Sequence, residues 1–297
     1  TSVGKTKMGV ALAKKFNGEV ISGDSMQIYK QMDIGTAKVT EEEKEGIIHH
    51  CVDILNPDET YSVHDFQQTV RKKITEITQR GHVPIIVGGT GLYIKAALYD
   101  YQFDEMENNH HAINEKYKDY TNEQLHDHLK SIDEESAKTL HFNNRRRVLR
   151  AIEIYETTGK RKSEMLEEQE HICLYDAYFV GLTLPRDVLY ERINKRVDVM
   201  MENGLKEEME RLYSQGLTRN HQSMKAIGYK EWFDYYDHQI DLNDVLELIK
   251  KHSRQYAKRQ YTWFKNQFDV HWYDVNLENF EQTIEQVTDD IEKILKV

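Results

Sequence analysis

The sequence predicts an α/β protein: a parallel sheet layered with helices, interrupted by an inserted all-helical stretch. Three observations predict it. Only 15 Gly and 3 Pro occur in 297 residues, which favours long helices and short connections. Two β-branched runs, Glu19-Val20-Ile21-Ser22 and Val83-Pro84-Ile85-Ile86-Val87, flank a helical pattern, and strand, helix, strand in that order gives parallel pairing through a right-handed crossover. Residues from about Asp104 to Gln169 are polar and helical in texture, with no convincing strand.

Taken in order, Lys5 to Phe16 reads as a helix and Glu19 to Ser22 as a strand. Ser62 to Arg80 is an amphipathic helix, with Ser62 as N-cap, Asp65 in the first turn and Gly81 as the stop. The strand at Val83 to Val87 ends at Gly88-Gly89. After the insert, Cys173 to Leu182 returns to strand chemistry; from Arg186 onward the pattern is helical, apart from a short strand at Val270 to Tyr273. The expected organisation is a discontinuous core, residues 1–103 and 172–297, around an insert at 104–171.

Composition narrows the function. With 39% hydrophobic residues, 18 Tyr, 9 Phe and 3 Trp, the chain has the apolar area of a globular protein. Cys51 and Cys173 are too few for a disulfide framework or a zinc ribbon, and fit a reducing cytoplasm. No apolar run is long enough to cross a membrane and no secretory segment is visible. The paired histidines at 49–50 and 110–111, and His126 with His128, lack carboxylate or cysteine partners at ligand spacing and read as surface residues. Net charge is −11, which argues against a uniformly polyanion-binding protein. Two basic stretches stand apart: four Arg within residues 143–150, and Lys250, Lys251, Arg254, Lys258, Arg259 and Lys265 without an intervening acid. Counterion release needs such local clusters rather than a global balance.

The chain begins Thr1-Ser2-Val3-Gly4-Lys5-Thr6, the second half of the phosphate-binding loop G-x-x-x-x-G-K-[ST]. Its first glycine would fall two residues ahead of Thr1, so a short preceding piece carrying a strand is expected. In such a loop backbone N–H groups and a helix N-terminus face a phosphate chain, Lys5 adds a point charge, and Thr6 ligates Mg²⁺. The predicted core is therefore P-loop NTPase-like. Asp24, at the end of the first strand, reads as a metal-holding acid, as a general base, or as a buried structural carboxylate. After the second strand, Gly88-Gly89-Thr90-Gly91 suits close backbone approach to a ligand, and Thr90 offers a hydroxyl. On these residues alone a small-molecule kinase and a nucleotide-switched RNA-binding protein stay open. A kinase has no use for the basic stretches, and a switch needs a water-positioning element that is not evident.

At this point the sequence resembles the tRNA dimethylallyltransferases over nearly its whole length. The resemblance rests on Thr1 to Thr6, Ser22-Gly23-Asp24-Ser25-Met26-Gln27-Ile28-Tyr29, Asp33-Ile34-Gly35-Thr36-Ala37-Lys38 and Val87 to Tyr93. It extends to Arg147 to Glu153, Ala226-Ile227-Gly228-Tyr229-Lys230-Glu231, and Arg254 to Phe264. It implies transfer of a dimethylallyl group from dimethylallyl diphosphate to N6 of the adenosine 3′ to the anticodon, position 37, releasing diphosphate. Thr1, Ser2, Val3, Gly4, Lys5, Thr6 and Arg196 would hold the diphosphate, with Mg²⁺ at Thr6. Catalysis would fall to Asp24 as base, Thr1 near the reacting ends, and Arg196, which spacing alone does not separate from Arg186 or Arg192. The anticodon arm of tRNA would meet Asp24, Ser25, Met26, Gln27 and Thr90 in the core, and Arg146, Arg147, Val148, Leu149 and Arg150 in the insert. Nothing in the sequence demands more than a monomer.

Overall fold

The computed structural model describes residues 2–101, 110–167 and 171–295. The chain divides into two compact units, Thr1–Leu98 with Tyr175–Val297, and Tyr99–Leu174.

The first unit opens with α1 (Lys5–Lys15), made of good helix formers. It stops at Asn17, whose φ of 51° lies in the left-handed region. Strand β1 (Gly18–Gly23) follows, then α2 (Glu41–Lys44), β2 (His49–His50), α3 (Val63–Gln79), β3 (Val83–Gly88) and α4 (Gly91–Leu98). Helix α3 starts on a capping box, Ser62 and Asp65 each bonding the other's backbone N–H. The sheet order is β2-β1-β3, all parallel, with Gly18 opposite Val83 and Gly23 opposite Gly88. Five of the six β1 residues are buried, which is why its sequence shows no alternation.

The chain returns as β4 (Phe179–Thr183), after α5 (His110–Lys116), α6 (Asn122–Ile132), α7 (Glu134–Thr139), α8 (Arg145–Thr158) and α9 (Lys162–Glu167) of the second unit. Then come α10 (Arg186–Glu202), α11 (Leu205–Ser214), α12 (Trp232–Tyr236), α13 (Leu242–Gln267), β5 (Val270–Asp274) and α14 (Phe280–Leu295). Strands β4 and β5 pair in parallel as a second sheet, from Phe179 opposite Val270 to Thr183 opposite Asp274. Between the sheets lies a mainly apolar cavity of about 760 Å³, lined by both β3 and β4. A separate core of Tyr29, Met32, Met209, Tyr229 and Trp232 packs α10 to α13 against the segment after β1. The second unit has its own core, centred on Leu125, Leu129, Val148 and Ile152.

Several expectations are corrected. The strand after the insert begins at Phe179, not Cys173; Cys173 lies in an isolated bridge with Tyr99 rather than in a strand. Strand β2 was not anticipated, because two residues carry no periodicity. Nor are the histidines simply surface groups. His50 Nε2 lies 2.6 Å from Glu19, His126 Nε2 bonds the carbonyls of Ala137 and Leu140, and His128 meets the Tyr117 hydroxyl. His110 and His111 have side chains outside the described residues. Cys51 is buried, and burial pushes its thiol up to about 11, so it is an inert core thiol. Among the described residues no helix is long and apolar enough to cross a membrane.

Candidate active site

The loop ahead of α1 carries its chemistry in its backbone. Ser2 has φ 57° and Gly4 φ 91°, two left-handed positions flanking Val3 in the kind of turn from which anion-binding loops are built. Ser2 pays a steric cost for that conformation, and such strain marks functional loops. Gly4 is the N-cap of α1 but supplies no side-chain bond, and the first turn holds no acid. The leading amides of the helix are therefore open to an external anion. Ser2 Oγ is buried and has no partner among the described residues, and Arg192 Nε donates to the Ser2 carbonyl at 3.0 Å. Val3 is buried, while Gly4, Lys5 and Thr6 are half-buried. Thr1 lies outside the described residues.

Asp24 sits where β1 ends. Its carboxylate accepts from the Met26 amide at 2.8 Å, a local turn that fixes the side chain. Ser25 N donates to Thr90 Oγ1 at 3.1 Å and Thr90 N to the Gly23 carbonyl at 3.2 Å, so the ends of β1 and β3 are stitched together. The glycines around Thr90 have a packing role of their own. A Cβ at Gly88 would strike the Gly23 backbone, one at Gly89 the Gln260 amide, and one at Gly91 the Trp263 ring.

Electrostatics place the charged groups in one neighbourhood. Burial lowers the pKa of Lys5, Asp24 opposes that shift, and Arg196 adds to it. Burial likewise lowers Arg196, against the pull of Glu43 and Asp24. Tyr256 joins them: burial, then the charge of Asp24, raises its phenol. Its hydroxyl lies 3.4 Å from the Gly89 carbonyl, which also accepts from Gln260 Nε2 at 3.0 Å. Tyr256 and Gln260 entered the sequence reading only within the matched segment Arg254 to Phe264, without a role, and Arg192 only as an alternative cation to Arg196. The signal for the first pair was their i, i+4 spacing on α13; nothing local separates Arg192 from Arg186 or Arg196.

In the second unit the basic cluster begins α8. Arg146 and Arg147 are exposed, and among the described residues neither bonds another side chain. Arg145 is committed to the carbonyls of Tyr117 and Tyr120, and Arg150 NH1 donates to the buried Glu153 at 2.8 Å. Val148 and Leu149 are core residues at 0% and 6% exposure. Their side chains pack the helix, and the expected arginine face narrows to Arg146 and Arg147. Lys162 adds charge beside it: burial lowers its pKa, and Arg147 and Arg150 push it further. On α13, Lys250 is paired with Asp198, whereas Lys251 and Lys258 are exposed.

Comparison with known proteins identifies the family. The family model described as IPP transferase matches residues 27–267. A Bacillus cereus protein named tRNA dimethylallyltransferase is 53% identical over 283 residues, covering 93% of this chain and 87% of that protein. A solved tRNA delta(2)-isopentenylpyrophosphate transferase from Staphylococcus epidermidis is 48% identical, with TM-score 0.72, covering 99% of this chain and 96% of its own. A eukaryotic dimethylallyltransferase solved acting on tRNA superposes with TM-score 0.84 at 32% identity, over 97% of this chain and 75% of that one. On the family match and the extent of these identities, the chain belongs to the IPP transferase family.

Proposed function

We propose that this protein transfers the dimethylallyl group of dimethylallyl diphosphate to N6 of adenosine 37 in the anticodon arm of tRNA. The observation that carries the residue assignment is that the Asp24 carboxylate lies within electrostatic reach of both Lys5 and Arg196 beside an anion-ready loop. That juxtaposes a proton acceptor and a receptor for a departing anion.

The C1–O bond of the donor breaks as the C1–N6 bond forms. Negative charge grows on the departing diphosphate, and the loop amides of residues 2–6, Lys5 and Arg196 meet it already oriented. The N6 lone pair is delocalised into the purine ring, so loss of its proton to Asp24 raises its nucleophilicity. Thr1 is assigned beside the reacting ends. Ser25, Met26, Gln27 and Thr90 are assigned to the adenosine side, where the base must leave its stack to reach a recessed electrophile. Arg146 and Arg147 suit contacts to the RNA backbone, which position without reading sequence.

Mg²⁺ fits the loop through its substrate. Among the described residues no three acids, histidines or cysteines form a cage, but Thr6 follows the left-handed loop in the first turn of α1. Its hydroxyl together with diphosphate oxygens would hold the ion, which when bound neutralises charge on the leaving group.

The core reads as a P-loop NTPase-like sheet. In that architecture a central strand runs directly into the phosphate loop, and the apolar cavity between β3 and β4 has the position and lining for one. The cytoplasm and a monomeric state are the settings that suit this chemistry.

The test is incubation with labelled dimethylallyl diphosphate, Mg²⁺ and unmodified tRNA. Label in the RNA supports this function; label arriving only from the γ-phosphate of ATP would instead make the protein a kinase.

A further inference from the structure

Two of the segments that carry the family resemblance, Asp33 to Lys38 and Ala226 to Glu231, have no part in the chemistry above. Both converge on Glu208 of α11, a carboxylate only 2% exposed. Glu208 Oε2 accepts from the amides of Asp33 at 3.0 Å and Ile34 at 2.8 Å, and Oε1 from the amide of Gly35 at 3.1 Å. Tyr229 donates its hydroxyl to the same Oε1 at 2.5 Å. Three consecutive amides and a phenol leave little unmet acceptor capacity, which is the arrangement a buried carboxylate requires. Gly35 is needed because a Cβ there would lie 2.5 Å from the Tyr229 ring.

The clamped loop reaches the active site through one side chain. Gln27 Nε2 donates to the carbonyls of Thr36 at 3.3 Å and Ala37 at 3.2 Å, while Gln27 Oε1 accepts from Ser22 Oγ at 3.2 Å. Both amide protons are thereby committed to the loop. Gln27 is thus equipped to hold its own backbone, and with it the turn from Asp24 to Gln27, rather than to read a base with its amide.

We propose that Glu208 is a positioning residue for the nucleobase side of the site. It acts by fixing Asp33 to Gly35, hence the Thr36 and Ala37 carbonyls, hence Gln27 and the Asp24 turn. This inference rests on reading Asp24 to Gln27 as the adenosine-facing segment. Among the described residues Glu208 bonds neither the phosphate loop nor Arg192, whose Nε donates to the Ser2 carbonyl, so the KM for the diphosphate donor serves as the internal control.

The experiment measures KM separately for tRNA and for dimethylallyl diphosphate in the full chain. Glu208→Gln turns one acceptor toward the amides into a donor and is expected to raise the tRNA KM about tenfold, leaving the donor KM unchanged. Tyr229→Phe removes a single bond and is expected to shift the tRNA KM in the same direction by about two- to threefold; it carries the test if Glu208→Gln does not fold. A double variant with Gln27→Ala is expected to be no worse than the worse single variant, since both lie on one path. An unchanged tRNA KM, a rise in both KM values together, or full additivity with Gln27→Ala would overturn the inference. A structural role alone lowers the active fraction and the melting temperature but moves neither KM. If Asp24→Asn kept full activity, the adenosine-side assignment would fall first; if Asp24→Asn is inactive and the tRNA KM of Glu208→Gln is normal, only the positioning role falls.

Discussion

Strand β1 carries an acid at each end, and the two have opposite surroundings. Glu19, at the start, is saturated: Arg80 donates twice, at 3.1 and 2.7 Å, and His50 and His82 lie at 2.6 and 2.7 Å. Those partners, Arg80 foremost, hold its carboxyl down to about 2. Asp24, just beyond the other end, accepts among the described residues only the Met26 amide, and its cationic neighbours Lys5 and Arg196 come from separate helices. A fully partnered buried charge holds structure together. An under-partnered one at the carboxyl end of a parallel strand, where helix N-termini converge, is available for chemistry.

The sharpest test of that contrast is exchange of each acid for its amide. Asp24→Asn is expected to lower kcat by about 10³-fold through loss of the proposed general base, with the melting temperature unchanged. A wild-type rate would place Asp24 among the structural acids and erase the contrast. Glu19→Gln is expected to do the reverse, costing about 2 to 3 kcal/mol of stability at neutral pH and leaving kcat alone. The sign follows from the depressed pKa: this stability is complete above the ordinary value near 4.5 and is lost as pH falls toward about 2. Denaturation followed across that window should therefore show a flatter acid limb in Glu19→Gln, and an unchanged limb would mean the cluster contributes nothing.

The smallest effect concerns the second unit, which repeats the contrast with arginines. Arg145 and Arg150 have protein partners; Arg146 and Arg147 face solvent. Removing the solvent-facing pair by Arg146→Ala with Arg147→Ala should reduce the slope of log affinity for tRNA against log salt by about 2. Replacing Arg150 should leave that slope unchanged and destabilise the helix instead, because buried Glu153 loses an ion-pair partner.

Much of this was legible in the chain because it is local. The half-motif Gly4-Lys5-Thr6, the Ser62 and Asp65 cap, and the β-branched runs each declare themselves within a few residues, where backbone propensity and capping chemistry act. The basic stretches were also visible, but which of their members face solvent was not, since a helix sequence does not say which arginine meets a carbonyl from another helix. The glycines around Thr90 were read as room for a ligand; the tight neighbours of Gly89 and Gly91 come from α13, about 170 residues later.

The sequence by itself determined the element types, the anion-ready turn and the presence of an acid after the first strand, because those depend on φ/ψ preference and periodicity. Only the tertiary structure decided that the charge of Asp24 acts on Lys5 and Arg196, that Glu19 is satisfied, and that Glu208 grips amides about 175 residues away. Hydrogen bonds and Coulomb forces act across space rather than along the chain, and burial sets their strength, so partners brought together by packing leave no trace in local spacing.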